Sequence, residues 1–343
     1  MLYLLPFLYS FLITAGVIFL ILFVCRKASF LKVEIGKFGE KTKRKVCRLG
    51  GVAIIIGFLA AIFLDGNLVI SQKLWGVIAA SLFILIFGIF DDFFELDWKT
   101  QLLFQIAVAI LVFIVGVRVE YITNPFGGVL FLNVGKYLVP SFLFALFWIV
   151  LMINSMNWID GVDGLSGGVS FIGALTIFFL SLKPEVNQPP VAIIAMALSG
   201  AVLGFLVFNF YPSRILAGTS GSMFMGFILA ALAIFAGTKI ATALLIMAIP
   251  IIDAVWVIGE RMKSGSSIFK SDNRHLHYKL LDLNWSQRKI TLFFCFITVC
   301  IALIAVNTRA IGKMVTMALV AIIMLSTLVF LNRKLAQNKK TAE

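Results

Sequence analysis

The sequence predicts an all-α, polytopic integral membrane protein of about eleven transmembrane helices, and three observations carry that prediction. Hydrophobic residues make up 61% of the chain and charged ones only 13%, against roughly 45–50% and about 25% in a soluble domain. Apolar runs recur along the whole length, each near the roughly 20 residues that cross a bilayer. Lys and Arg gather in alternate loops between those runs. That placement accounts for the net charge of +13 without nucleic acid as a partner.

Taken in order, the expected spans are 4–24, 50–64, 74–90, 101–117, 138–153, 165–182, 191–208, 222–237, 240–258, 290–307 and 314–331. The first has no basic residue before it and no small-residue cleavage site after it, so it reads as a span rather than a removable signal peptide. The region 222–258 is divided at Gly237-Thr238-Lys239. With eleven crossings, one side holds 22 of the 29 Lys and Arg residues and the other holds seven. The basic side is expected to be cytoplasmic, the N-terminus outside and the C-terminus inside. Residues 1–331 form one transmembrane catalytic domain in this reading. Residues 332–343 form a short polar, disordered-looking cytoplasmic tail. Cys25, Cys47, Cys295 and Cys300 lack metal-ligand spacing and are expected as reduced, structural thiols.

Polar residues at membrane boundaries are costly and usually functional, and four groups stand out on the basic side. The first is Asp91-Asp92, within Phe90–Lys99. Adjacent carboxylates repel unless a cation lies near them, and hard oxygen ligands of this kind suit Mg²⁺ together with substrate phosphates. A solvated acidic turn is the plain alternative. The second is Asn154-Ser155-Met156-Asn157-Trp158-Ile159-Asp160-Gly161-Val162-Asp163-Gly164-Leu165. Asn154, Asn157 and Asp160 share a helical face and can read the polar edge of a base or sugar. An Asn/Asp/Gly turn would not need such paired polar repeats.

The third group is Phe208-Asn209-Phe210-Tyr211-Pro212, followed by Gly218-Thr219-Ser220-Gly221-Ser222 at the start of a span. Free N–H groups at a helix N-terminus suit phosphate, although a Gly/Ser cap would look the same. The fourth is Asp253, Arg261, Gly265, Ser266, Asp272 and His275-Leu276-His277-Tyr278-Lys279. His and Arg act as phosphate clamps and donors. A zinc pair or a lipid-headgroup loop are the alternatives.

In this order the four groups resemble the polyprenyl-phosphate N-acetylhexosamine-1-phosphate transferases, glycosyltransferase family 4. The resemblance extends from Arg48-Leu49-Gly50-Gly51 to about Lys289. Arg48-Leu49-Gly50-Gly51 and the spaced histidines look more like the branch of undecaprenyl-phosphate GlcNAc-1-phosphate transferases that begins surface-glycan synthesis than like the peptidoglycan branch. The resemblance implies transfer of a sugar-1-phosphate from a UDP-N-acetylhexosamine to a polyprenyl phosphate, with release of UMP and Mg²⁺ as cofactor. It implies Asp91, Asp92 and Asp160 as catalytic and metal residues. Asn154, Asn157, Asp163, Asn209, Arg261, His275 and His277 are implied as substrate-binding. It implies a cell-membrane location with membrane lipid around the protein, and it allows a homodimer.

Three positions depart from the family pattern. Thr219 stands where the family has a metal-binding Asp. Tyr278 replaces the last His of the basic loop. The stretch Lys43-Arg44-Lys45-Val46-Cys47 lacks the usual His and Pro, which leaves the matching base unassigned. A catalytically silenced paralogue that binds UDP-sugar or lipid phosphate would fit the first two departures. A secondary transporter is a third class, but transporters tend to place polar groups at the bilayer midplane.

Overall fold

The computed structural model describes every residue except 28–31, 36–43, 134–137, 238, 268–273 and 343. It is helical almost throughout. In chain order the elements are α1 (Leu4–Lys27), β1 (Lys32–Ile35), β2 (Arg44–Cys47), α2 (Gly50–Leu64), α3 (Gln72–Phe94), α4 (Trp98–Ile114), β3 (Tyr121–Thr123) and β4 (Val129–Phe131). They continue with α5 (Val139–Ile159), α6 (Leu165–Ser181), α7 (Pro189–Asn209), α8 (Gly218–Phe235), α9 (Ile240–Ile246), α10 (Ala248–Lys263), α11 (Leu276–Asp282), α12 (Gln287–Asn307) and α13 (Ala310–Ala342). The strands form two antiparallel hairpins, with Lys32 opposite Cys47 and Tyr121 opposite Phe131.

Among the described residues seven helices are long and apolar enough to cross a membrane, or eight if the bent pair α9–α10 is one span. The chain is thus an all-α, multi-pass membrane protein. The other three expected spans are α2, α4 and α6, apolar helices of 15 to 17 residues.

Local chemistry sets the helix ends. Ser71, Asp97 and Ser286 each accept a hydrogen bond from the backbone N–H three residues on, opening α3, α4 and α12, the usual service of an N-cap. Pro140, Pro189 and Pro190 sit in the first turns of α5 and α7, where a missing N–H costs nothing. Two expectations are corrected. The span at 240–258 is broken by 72° between α9 and α10. Pro250 has no N–H to give the carbonyl of Ile246, four residues back, so the helix cannot run through. The polar tail is not irregular, because α13 continues through it to Ala342.

The interior is centred on α8, 83% of whose apolar span is buried, against 17% for α1 and for α13. Trp148 of α5 is fully buried and donates its indole N–H to the Ala230 carbonyl of α8 at 3.2 Å. Small residues let backbones touch, as they do between membrane helices. A Cβ on Gly200 of α7 would lie 2.1 Å from the Phe7 carbonyl oxygen of α1. The buried thiols of Cys25 and Cys47 meet, bringing the end of α1 to β2.

Candidate active site

The N-terminus of α8 lands on the C-terminal turn of α3, and this docking brings the first and third polar groups together. Thr219 donates its backbone N–H to Asp92 Oδ1 at 2.8 Å and its hydroxyl to Asp91 Oδ2 at 2.6 Å. Ser220 donates to Asp92 Oδ2 at 3.4 Å. The positive end of the helix dipole thus faces two carboxylates. The approach requires glycine at 218. Its φ is +69°, and a Cβ there would sit 2.4 Å from Asp92 Oδ2 and from the Arg48 carbonyl oxygen. Asp91 is buried and also accepts from Gln101 Nε2 of α4 at 2.9 Å.

Arg48 arrives because residues 47–51 run alongside 215–217. Leu216 donates its N–H to the Cys47 carbonyl at 2.8 Å, and Gly50 and Gly51 donate to the carbonyls of Leu216 and Ala217 at 2.9 and 2.8 Å. Arg48 is the base that this zipper delivers to the cleft, with Glu95 3.7 Å from its guanidinium. Lys45 is exposed and does not line the cleft. Lys43 lies outside the described residues, as do Thr238 and Asp272.

The Asn/Asp/Gly motif straddles the last turn of α5 and the turn into α6. Asn154 exchanges hydrogen bonds with Gln105 of α4. Asn157 accepts from Ser222 of α8 at 2.8 Å, and Asp160 accepts from Ser166 of α6. Asp163 is 1% exposed and Asn209 2%, and neither borders the cleft. Asp163 accepts from the Ser213 N–H at 3.1 Å, while Asn209 accepts from the Gly164 N–H at 2.9 Å and donates to the Ile215 carbonyl at 2.8 Å. These two residues hold the turns that carry Asp160 and Thr219.

The fourth group closes the opposite wall. Asp253 of α10 meets His275 Nδ1 at 2.8 Å and accepts the Leu276 N–H at 2.8 Å. That bond leaves Nε2 of His275 as the nitrogen for a ligand. His277 is buried, stacks on His275 at 5.7 Å between ring centroids, and sits behind the cleft wall. Gly161 is overlain by this loop, for a Cβ on it would meet His277 Nε2 and the Tyr278 hydroxyl, each at 2.6 Å. Burial, and then the charge of Asp160, push the Tyr278 phenol above its ordinary value of 10.0, so it stays a donor.

Between these walls lies a cleft of about 630 Å³, within the usual range for small-molecule sites. Of the residues expected from sequence, Asp92, Asn154, Asn157, Asp160, Arg261 and His275 line it. Asp91, Asp163, Asn209 and His277 stand behind. Sequence reasoning missed Arg48, Trp98, Gln101, Gln105 and Trp158, and saw Tyr278 only as a departure. The signal for the glutamines was present, since two amides one helical turn apart interrupt an otherwise apolar run.

Among the described residues, no group of three or more His, Cys, Asp or Glu is placed to hold a metal ion. Asp92 and Asp160 nevertheless both face the cleft. One or two carboxylates with substrate phosphates is the donor set Mg²⁺ ordinarily uses, and these residues fit it.

Residues 74–237 match the model of glycosyl transferase family 4. The chain is 34% identical over 275 residues to a decaprenyl-phosphate N-acetylglucosaminephosphotransferase of Mycobacterium leprae, covering 71% of this chain and 69% of the relative. It is 29% identical over 273 residues to a probable undecaprenyl-phosphate N-acetylglucosaminyl 1-phosphate transferase of Bacillus subtilis, covering 76% and 74%. A phospho-N-acetylmuramoyl-pentapeptide-transferase of Listeria monocytogenes is 32% identical over 270 residues, covering 74% and 80%.

Proposed function

The chain belongs to glycosyl transferase family 4, and from that premise we propose that it transfers N-acetylhexosamine-1-phosphate from a UDP-sugar to a polyprenyl phosphate. UMP leaves, and the lipid-linked sugar starts a cell-envelope glycan. The observation that carries this reading is the convergence, in one cleft, of carboxylates, amides and basic side chains. Asp92 and Asp160, Asn154 and Asn157, and Arg48, Arg261 and His275 come from sequence positions far apart. The names of the relatives, N-acetylglucosamine transferases acting on decaprenyl and undecaprenyl phosphates, support it.

The reaction joins two anions. A lipid-phosphate oxygen attacks the sugar-bearing phosphorus, a P–O bond forms, and the bond to UMP breaks. Positioning and charge neutralisation supply most of the catalysis in such transfers. Arg48 and Arg261 neutralise the phosphates, and His275 offers its Nε2 to one of them. Asn154 and Asn157 read the nucleotide, with Trp158 as an aromatic wall. Asp92 takes any proton still carried by the lipid phosphate, and Asp91 positions it through Thr219. Asp163 and Asn209 act on the nucleotide through the turns they hold, and His277 through His275. Mg²⁺, held by Asp92 and Asp160, would supply charge stabilisation at the diphosphate.

Eleven crossings, with α2, α4 and α6 spanning, put the cleft on the cytoplasmic face, because that face then carries 22 of 29 Lys and Arg residues. The basic segment 26–49 would draw the lipid phosphate to that surface. The test is UMP release by the purified protein from UDP-N-acetylglucosamine, with and without undecaprenyl phosphate and Mg²⁺. UMP formed only with both supports the reading, and none formed under any condition refutes it.

A further inference from the structure

The helices carry a second cavity at the end away from the cleft, where α6 finishes, α9 begins and α12 turns into α13. It is about 900 Å³, and Lys183, Lys239, Arg309 and Lys313 line it with Glu185 as the one acidic neighbour. That end of the molecule holds only seven Lys and Arg residues in the eleven-span reading, and four of them face this single cavity. Among the described residues none of the four is in an ion pair. Lys183 donates to the Val306 carbonyl and Lys313 to the Thr242 hydroxyl at 2.6 Å, both neutral partners. Four like charges around a partly dry space repel one another unless an anion lies among them.

The rest of the lining says what kind of anion. Met314, Met317, Ala318 and Ala321 recur at i, i+3, i+4 and i+7, so one face of α13 extends the cavity for about two turns. Leu244 of α9 forms the facing wall. A free phosphate would make no use of that apolar trough, whereas an acyl chain would fill it. We propose that this cavity binds an anionic phospholipid, its phosphate among the four bases and one chain along α13. The lipid would tie α13 to α9 and α12. This proposal does not depend on the transferase activity.

The test uses the full chain purified in neutral detergent, melted with phosphatidylglycerol, phosphatidylcholine or inorganic phosphate. Phosphatidylglycerol should raise the melting midpoint by about 5 °C near saturation, and the other two should not. The rise should vanish in a Lys183→Gln/Lys313→Gln double variant and survive in Lys73→Gln, a base at the same end in a different cavity. Native mass spectrometry of the wild type should show one retained phosphatidylglycerol, which keeps the test sharp if the double variant fails to fold. Equal stabilisation by phosphatidylcholine, or by inorganic phosphate, would overturn the proposal, as would an undiminished rise in the double variant.

Discussion

Thr219 donates a hydrogen bond from its hydroxyl to Asp91 Oδ2 at 2.6 Å, at the position where the sequence resemblance leads one to expect a third carboxylate. The same residue reaches Asp92 through its backbone N–H, so this one position organises both acids. Thr219→Ser should keep the bond and the activity. Thr219→Val leaves a buried carboxylate short of a donor and should destabilise by about 1–3 kcal/mol, read by thermal melting. Thr219→Asp crowds three carboxylates. Without a divalent cation it should melt lower than wild type, and Mg²⁺ should restore it. Its Mg²⁺ requirement should fall and turnover rise, by up to about 10²–10³ if the contact acts in the transition state. A wild type that binds UDP-sugar but gains turnover only in Thr219→Asp would be a silenced transferase.

Asp92→Asn should lower turnover by about 10²–10³ with little change in melting, since the amide can still accept from Thr219. Asn157→Ala should weaken UDP-sugar binding measured by calorimetry. Unimpaired turnover in Asp92→Asn and Asp160→Asn alike would exclude the proposed chemistry.

Much of this was legible before the structure. Apolar run lengths place most helices within a few residues, because lipid imposes one period and one length on every crossing, while α5 and α13 run on into polar sequence that no longer counts as apolar. That Asp92, Asn157 and Asp160 would gather at one cleft was legible because charges and amides at a membrane boundary are costly and seldom idle. The break at Met247 was legible only as Pro250, a residue that membrane helices often tolerate. Arg48 was missed because its role comes from a backbone pairing with residues 215–217, more than 160 positions away, which no local pattern encodes. The position of Asp163 and Asn209 behind the cleft was not legible, because a buried polar side chain holding a turn has the same composition as one lining a site.

Gly161→Ala would place a methyl 2.6 Å from His277 and Tyr278. Tyr278 lines the cleft and His277 stands behind it, stacked on His275, so neither can yield without disturbing that wall. The expected result is a raised KM for the UDP-sugar with membrane insertion intact. A KM like that of wild type would show that the basic loop does not form this wall.

Tyr278 supplies a pH prediction. Its folded value lies above the ordinary 10.0, chiefly through burial and secondarily through Asp160. The stability linked to its proton is therefore fully present below about pH 10 and is lost as pH rises through the folded value. Wild type should lose melting temperature above about pH 10 more steeply than Tyr278→Phe. The two should have rate profiles of the same shape below that pH.

Reporter fusions after Lys183 and after Glu343 should report opposite sides of the membrane. Matching reports would remove a crossing and turn part of the cleft away from the cytoplasm.

The central claim is that phosphorus moves with the sugar. UDP-N-acetylglucosamine labelled at its β-phosphorus, incubated with purified protein, Mg²⁺ and undecaprenyl phosphate, should yield label in the organic-extractable lipid. Unlabelled UMP should form in equal amount. Label remaining with the nucleotide as UDP while the sugar enters the lipid, or no label in lipid despite bound UDP-sugar, would contradict it.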